Sequence, residues 1–491
     1  MAIILRFVDC KGLVKERFFK LVSVVDTRSQ TLKDEISRIL AQYDLNEENM
    51  RGQGYDGASN MSGQFNGLQA LFLKDCPYAY YVHCFAHRLQ LTLNYVAKEV
   101  PDVWQFFSTL TMIVNFVDSS AKRHSMLKSY REEEILDLLA VGTLETGTGM
   151  NQSSTLQRSG ATRWGSHLRS IASLIKLFGA TMATIDDLYN NGVDKQITAE
   201  AKGIGKALKK FNFVYCLLLM HEIMMITEFL SQAFQKKEID ILNAIQFLSM
   251  TKAKLQTMRD GGWDSLIMKI EIFCLEHGIS MPDMFAPYKK GARDNERNIT
   301  NEHYFRVNIL YAVIDLQLME LEKRFPETSM ELLGLGASFD PRHDFQAFKA
   351  EDVCKLASKF YPCDFTSCDM DNLKMECGFF VDGCEQDSRF TKMTSISDLC
   401  RLLVESGKSV YFPMIYRLIC LILTLPVSTA TTERAFSSMK IIKNDLRNKL
   451  SDEFLDDLMV VYIERTFIDC ISNDDVITEF EMSGPRRVKF S

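Results

Sequence analysis

The spacing of hydrophobic residues changes twice along the first hundred positions. Residues 2–8 and 17–25 are rich in β-branched and aromatic side chains, and the Lys11-Gly12 pair between them predicts an antiparallel hairpin. From residue 32 the apolar positions recur every three or four residues, as on one face of a helix. Short strand candidates at 50–55 and 78–84 each precede another helical pattern. This alternation predicts an α/β sheet.

Beyond residue 99 almost every periodic segment is helical, up to about residue 405. A proline and several hydroxyl side chains at 426–432 then predict a stop, followed by a helix over roughly 433–450 and another from residue 451. The chain shows no internal repeat of fixed period. The pattern therefore predicts an α/β part combined with a larger all-α part.

Composition narrows the class of protein. The chain has 491 residues, of which 46% are apolar and 25% charged, as in globular proteins. Its net charge of −7 offers no global attraction to nucleic acid, so DNA binding would need local basic faces. The 13 scattered cysteines favour reduced thiols in a cytosolic or nuclear protein. The most apolar stretches, 211–230 and 410–425, contain charged residues and predict core helices, so neither a membrane span nor a signal peptide is expected.

Two carboxylates stand at positions that suit chemistry. Asp56 follows a strand candidate between Gly54 and Gly57, where a sharp turn exposes a side chain at the carboxyl edge of a sheet. A turn aspartate is the simpler interpretation of that motif alone. Glu433 falls in the first turn of a predicted helix, where the helix dipole favours a carboxylate whatever its function.

Two further groups of residues each have a functional and a structural interpretation. Cys84 and His87 form a C-x2-H pair, but no second pair with zinc-ligand spacing accompanies it, so structural packing is favoured. Trp164 is one of three tryptophans and has Arg158 and Arg163 nearby. It could stack on an unpaired base while the arginines contact phosphates, or it could be buried at a helix start.

The predicted helix after residue 451 carries more apolar surface than one isolated helix can hide from water. Self-association and packing on the chain's own core would both cover it. The candidate dimerisation residues are Phe454, Leu455, Leu458, Met459 and Tyr462.

Four segments together resemble the hAT (hobo/Activator/Tam3) superfamily of transposases. They occur in the family's order and lie at 51–61, 82–91, 162–164 and 429–437. Within the family the chain is similar to proteins called zinc finger MYM-type protein 1-like. The resemblance implies a ribonuclease-H-like core interrupted by a large helical insertion. The implied domains are a partial core (1–98), a helical insertion (99–405), a C-terminal dimerisation region with the last core helix (406–468) and a tail (469–491).

The resemblance also implies a chemistry and a location. In the family, three carboxylates hold two Mg²⁺ or Mn²⁺ ions for phosphoryl transfer on DNA. Asp56 resembles the second of these carboxylates and Glu433 the third, while Trp164 resembles the tryptophan that stacks on DNA bases. The implied partners are DNA and a second copy of the chain, and the implied location is the nucleus.

One departure from the family changes the expected function. The first carboxylate of the family lies on a strand before the one matched here by residues 2–8, so we expect an N-terminally truncated chain that lacks this strand. Its loss would leave two unpaired strand edges. We therefore expect a catalytically inactive, transposase-derived protein that retains dimerisation and weak DNA binding. An active transposase and an inert remnant are the alternatives.

Overall fold

The computed structural model describes residues 1–140, 155–160, 164–236, 241–289, 299–325, 331–342, 345–390 and 393–484. The chain forms two compact units. The first comprises Met1–His87, Phe234–Ile245 and Glu327–Ser491, and the second comprises Arg88–Ala233 and Gln246–Pro326.

The elements of the chain follow in sequence order. The strands found among the described residues are β1 (Ala2–Val8), β2 (Val14–Leu21), β3 (Gly52–Tyr55) and β4 (Tyr80–His83). The helices up to the middle of the chain are α1 (Ser29–Gln42), α2 (Ser59–Ser62), α3 (Leu68–Asp75), α4 (Phe85–Glu99), α5 (Pro101–Asp118), α6 (Ala121–Ala140), α7 (Trp164–Lys176), α8 (Phe178–Asn191), α9 (Lys195–Leu208), α10 (Phe211–Phe234), α11 (Ile241–Gly261) and α12 (Trp263–Glu276).

The second half is helical throughout its described part. Its helices are α13 (Asn301–His303), a π-helical segment (Tyr304–Tyr311), α14 (Ala312–Arg324), α15 (Glu331–Gly336), α16 (Ala350–Phe360), α17 (Ser367–Glu385), α18 (Ile396–Glu405), α19 (Lys408–Tyr411), α20 (Pro413–Leu423), α21 (Ala430–Ile442), α22 (Asp452–Ile463), α23 (Arg465–Ile468) and α24 (Asn473–Met482). Three-residue 3₁₀ turns lie at Glu47–Asn49, Ala337–Phe339 and Asp445–Arg447.

The predicted N-terminal hairpin is present. Strands β1 and β2 pair antiparallel from Ala2 opposite Leu21 to Val8 opposite Val14, so the second strand begins and ends earlier than the predicted 17–25. Gly12 sits in the turn with a φ of +74°, a conformation that glycine adopts without steric strain.

The hairpin is covered on both faces, as the two-residue alternation of a strand requires. Ile3 packs with Val22 and with Ile39 of α1. Phe18 instead packs with apolar residues of α21 and α22. The hairpin thus lies between the N-terminal helix and the C-terminal helices of the first unit.

Carboxylates of α22 cover the outer edge of the hairpin. Asp456 accepts a hydrogen bond from the backbone N–H of Leu21 at 2.6 Å. Glu464, at the end of the helix, accepts one from the N–H of Phe18 at 2.9 Å and pairs with Arg17 at 2.7 Å. These side chains satisfy donors that an unpaired strand edge would leave open.

The second sheet is a short parallel pair. Gly52 to Tyr55 of β3 lie opposite Tyr80 to His83 of β4. Among the described residues the two sheets each contain two strands and no further strand joins them. The structure is mostly helical with a few strands, which agrees with the predicted all-α part. The predicted α/β sheet is found in the described residues as two separate strand pairs.

Residues 327–405, predicted as part of the helical insertion, cluster with the first unit. Hydrogen bonds join this segment to the parallel sheet. Arg51 forms two hydrogen bonds with the carboxylate of Asp364, at 2.7 and 2.9 Å, and the Tyr80 hydroxyl donates to the carbonyl of Phe360 at 2.8 Å. The second unit is correspondingly shorter than the predicted insertion.

The second unit is helical in its described part and has an aromatic core. Phe106, Phe178, Tyr215 and Phe305 are each less than 2% exposed, and the Tyr215 hydroxyl donates to the Phe305 carbonyl at 2.8 Å. Helix α10 is long and apolar enough to cross a membrane, but 61% of its most apolar window is buried inside the chain. A second span would require α7 and α8 to act together across a 72° bend.

Candidate functional site

Asp56 lies directly after β3, as predicted, and is exposed. Its Oδ1 accepts a hydrogen bond from the Ala58 N–H at 3.2 Å, and its backbone carbonyl accepts one from the Tyr81 hydroxyl at 3.2 Å. The first bond is the local bond of an aspartate turn. The structure thus contains the turn arrangement that the simpler interpretation of this motif requires.

Cys84 links the segment of Asp56 to the segment of Glu433. Its backbone N–H donates to the carbonyl of Tyr55 at 2.9 Å. Its Sγ accepts from the backbone N–H of Thr429 at 3.2 Å. Since the Glu433 N–H donates to the Thr429 carbonyl at 3.0 Å, a chain of direct contacts connects the end of β3 with the first turn of α21.

Burial defines the role of the Cys84 thiol. The residue is 1% exposed, and burial raises the pKa of its thiol, to which the charge of Glu433 adds. A thiol held in its neutral form is a poor nucleophile and a poor metal ligand. The sulfur packs and accepts backbone hydrogen bonds from His87 and Thr429. The structural role of the Cys84 and His87 pair stays a prediction.

Helix α21 is also fixed from the hairpin side. Arg6 of β1 and Glu16 of β2 form a buried ion pair at 2.7 Å, and Glu16 accepts a hydrogen bond from the hydroxyl of Thr431. Arg6 further donates to the carbonyl of Leu423 at 2.9 Å. The start of α21, and with it Glu433, is therefore held by both sheets of the first unit.

Rings form a row beside Asp56 that sequence reasoning missed. Ring centroids lie 6.0 Å apart for Tyr55 and Tyr81, 6.4 Å for Tyr81 and His83, and 5.6 Å for His83 and His87. A Cβ on Gly57 would lie 2.7 Å from Cε1 of His83, so only glycine lets this turn approach the row. Tyr81 and His83 are two positions apart on one strand, and that spacing was the available signal.

The residues of the site do not fit the metal centre that the resemblance implies. No group of three or more His, Cys, Asp or Glu side chains in the described part of the chain is arranged to hold a metal ion. The Oδ1 atom of Asp56 is engaged by its own turn. We therefore assign no catalytic step to Mg²⁺ or Mn²⁺.

The predicted DNA-contacting residues lie in the second unit. Arg158 is exposed and pairs with Asp118 at 3.3 Å. Trp164 is the first residue of α7, but its side chain lies outside the described residues, as does the whole of Arg163. The prediction of base stacking by Trp164 stays a prediction.

The predicted dimerisation residues divide into a covered and an exposed set. Leu455 and Met459 are 4% and 0% exposed because they pack on the hairpin within the same chain. Leu458 and Tyr462 are partly buried in that cluster. Phe454 is 53% exposed. The intramolecular alternative therefore holds for Leu455 and Met459, and Phe454 is the member of the set with the largest surface available to a partner.

Comparisons with known families agree with the motifs at both ends of the chain. Residues 1–67 match the family described as ZMYM1/FAM200, RNase-like domain. Residues 386–466 match the hAT family C-terminal dimerisation region, so that region starts before the predicted residue 406. The resemblance to hAT transposase-derived proteins is confirmed.

Curated relatives extend the similarity over nearly the whole chain. It is 20% identical over 483 residues to the Mus musculus protein named 52 kDa repressor of the inhibitor of the protein kinase, covering 94% of this chain and 60% of that protein. The Homo sapiens protein of the same name is 20% identical over 482 residues, covering 94% of this chain and 59% of that protein. The chain thus spans about three fifths of the length of these curated relatives.

Proposed function

We propose that the protein is a transposase-derived homodimer that binds DNA in the nucleus without cleaving it. The observation that carries this proposal is the match of residues 386–466 to a dimerisation region, combined with apolar side chains that the single chain leaves exposed there. Phe454 and Val461 are each about half exposed, at 53% and 47%. Apolar surface of this kind, rimmed by polar residues, is typical of a protein interface.

Dimerisation can be tested with a surface variant that leaves the fold intact. Because Phe454 is half exposed, Phe454→Ser should change the stability of the monomer little. We expect it to lower the fraction of dimer seen by multi-angle light scattering. Phe65→Ser is the matched control, since Phe65 is 81% exposed in the same unit but lies outside the dimerisation region, residues 386–466. An equal dimer fraction in both variants would contradict a role for Phe454.

The proposed lack of cleavage rests on the donor set at the carboxyl end of β3. Two of the three implied carboxylates, Asp56 and Glu433, are present, and no group of three or more His, Cys, Asp or Glu side chains that could hold a metal ion occurs in the described part of the chain. We expect the purified protein to leave labelled hairpin and duplex DNA intact in Mg²⁺ or Mn²⁺. Cleavage that Glu433→Ala abolishes would overturn this part of the proposal.

The proposed DNA binding and nuclear location rest on two supports. The curated relatives are named as repressors, and the family resemblance assigns Trp164 to base stacking. We expect Trp164→Ala to weaken binding to hairpin or flipped-base DNA ends by roughly 1–3 kcal/mol. Trp104→Ala is the matched control because Trp104 is 56% exposed on α5 of the same unit. Unchanged affinity of the Trp164 variant would remove the stacking role.

A further inference from the structure

Helix α24 is an acidic amphipathic helix at the end of the described chain. Its ten residues contain four carboxylates and no basic side chain, with the carboxylates at Asp474, Asp475, Glu479 and Glu481. On a helix, Val476, Ile477 and Phe480 share one stripe, which Glu479 and Glu481 border on either side. None of the residues of α24 is buried. Val476 and Ile477 are 54% and 40% exposed, so about half of each of these two side chains is open to solvent in the single chain.

A surface of opposite charge lies on the same unit. We call it the basic patch, and it extends from the end of α21 through the following 3₁₀ turn. Its members are the exposed residues Lys440, Ile441, Lys443, Leu446, Arg447 and Lys449. Ile441 is 60% exposed and Leu446 is 96% exposed. The basic patch therefore combines four cations with two apolar side chains that face solvent, and Asp445 is the carboxylate within the same stretch.

The acidic helix and the basic patch are complementary in both charge and apolar content. Like-charged surfaces repel, whereas an acidic helix facing a basic patch gains from attraction and from burial of its apolar stripe. A helix that lays an apolar face on such a surface is a common mode of recognition. Each surface therefore has the charge and the apolar side chains that suit the other as a binding partner.

We propose that α24 of one copy docks on the basic patch of a second copy. Two observations and a symmetry argument favour a second copy as the occupant. The basic patch lies inside the matched dimerisation region, residues 386–466, and α24 begins seven residues after that region ends. Both surfaces are exposed in the single chain. A two-fold dimer would form the contact twice, because each copy supplies one helix and one patch.

This inference rests on the proposed homodimerisation, and sedimentation equilibrium of the full chain tests both. Replacing Val476 and Ile477 together by serine should raise the dimer Kd at least about tenfold, since two apolar side chains are lost at each of two contacts. Glu479→Lys and Lys443→Glu should each raise it about fivefold or more, because each reversal places like charges opposite one another. Asp382→Lys, on the exposed face of α17, is the matched control and should leave Kd unchanged.

The decisive experiment combines the two charge reversals, Glu479→Lys and Lys443→Glu, in one chain. If Glu479 and Lys443 lie opposite one another, the double variant should bind within about threefold of the unchanged chain, since the pair is restored with reversed sign. Reversals whose effects simply add would overturn the pairing of the two surfaces.

Three other outcomes would overturn the inference in different ways. A wild-type chain that is monomeric at every concentration contradicts the proposed function and this inference together. A wild-type dimer whose Kd does not respond to either reversal contradicts this inference and leaves dimerisation intact. If Lys443→Glu weakens binding of a DNA duplex but leaves the dimer Kd unchanged, the basic patch contacts phosphate and not a second copy.

Discussion

Asp456 provides the sharpest test of how the hairpin is held. Its carboxylate lies on α22 and accepts the N–H of Leu21 at 2.6 Å, and it also lies 3.3 Å from Nζ of Lys20. The residue is 7% exposed. Asp456→Ala would leave the Leu21 N–H without its acceptor at a mostly covered position. An unsatisfied donor of this kind destabilises by about 1–3 kcal/mol.

Asp457→Ala is the matched control, since Asp457 is the next residue of the same helix and is exposed. Both substitutions improve the intrinsic helix propensity equally, by at most about 0.7 kcal/mol. The difference between the two variants therefore isolates the bond to β2. The expected difference in the free energy of opening is about 1–3 kcal/mol, which corresponds to amide exchange about 5–150 times faster.

Hydrogen exchange measured by mass spectrometry on the peptide covering β2 is the appropriate assay. All three tryptophans lie in the second unit, so tryptophan fluorescence does not report on the hairpin. We expect Asp456→Ala to accelerate exchange in β2 and Asp457→Ala to leave it unchanged. Equal exchange in the two variants would refute the inference that α22 stabilises the strand edge.

Three further predictions concern other parts of the chain. Burial lowers the pKa of His167 below 6.5, so the unfolded chain binds more protons near that pH than the folded chain does. The second unit should therefore lose stability as the pH falls from about 7.5 to about 5. His167→Phe should show a weaker pH dependence of the melting temperature when melting is followed by tryptophan fluorescence. Gly57→Ala would place a methyl group 2.7 Å from the ring of His83 and should destabilise the first unit by about 1–3 kcal/mol in circular dichroism melts. Met459→Ala should destabilise that unit by about 2–5 kcal/mol because a buried side chain is lost. Phe454→Ala should change the stability of the unit by less than about 0.5 kcal/mol at low protein concentration. Similar melting curves for Met459→Ala and Phe454→Ala would contradict the division into covered and exposed residues.

Local sequence signals predicted the elements that carry the candidate site. Two glycines around Asp56 indicated a turn after a strand, and the structure has that turn after β3. The C-x2-H pair without a second ligand pair predicted structural packing for Cys84, whose sulfur accepts two backbone hydrogen bonds in the structure. Such features depend on residues close in sequence, which is why a single sequence reveals them.

Contacts between distant residues were beyond the reach of the sequence. The bond from Leu21 to Asp456 joins positions 435 residues apart, and no periodicity predicts which helix covers a strand edge. The same limit applies to the bonds between Arg51 and Asp364, which join positions 313 residues apart within the first unit. From the sequence, the apolar residues of α22 could pack on a partner or on the chain's own core. The structure shows that Met459 packs on the hairpin of the same chain.

One helix escaped prediction for a local reason. The predicted tail contains α24, whose N-cap Ser472 accepts a hydrogen bond from the Asp474 N–H. This start is a recognisable capping signal, and the high density of carboxylates around it obscured the helical pattern.

Sedimentation equilibrium of the purified chain tests the central claim most directly. A homodimer should show an apparent mass that rises with concentration to twice the chain mass of 56.2 kDa, and this mass should decrease again when salt screens the charged surfaces. A mass of one chain at every concentration would contradict homodimerisation, and with it the proposed function.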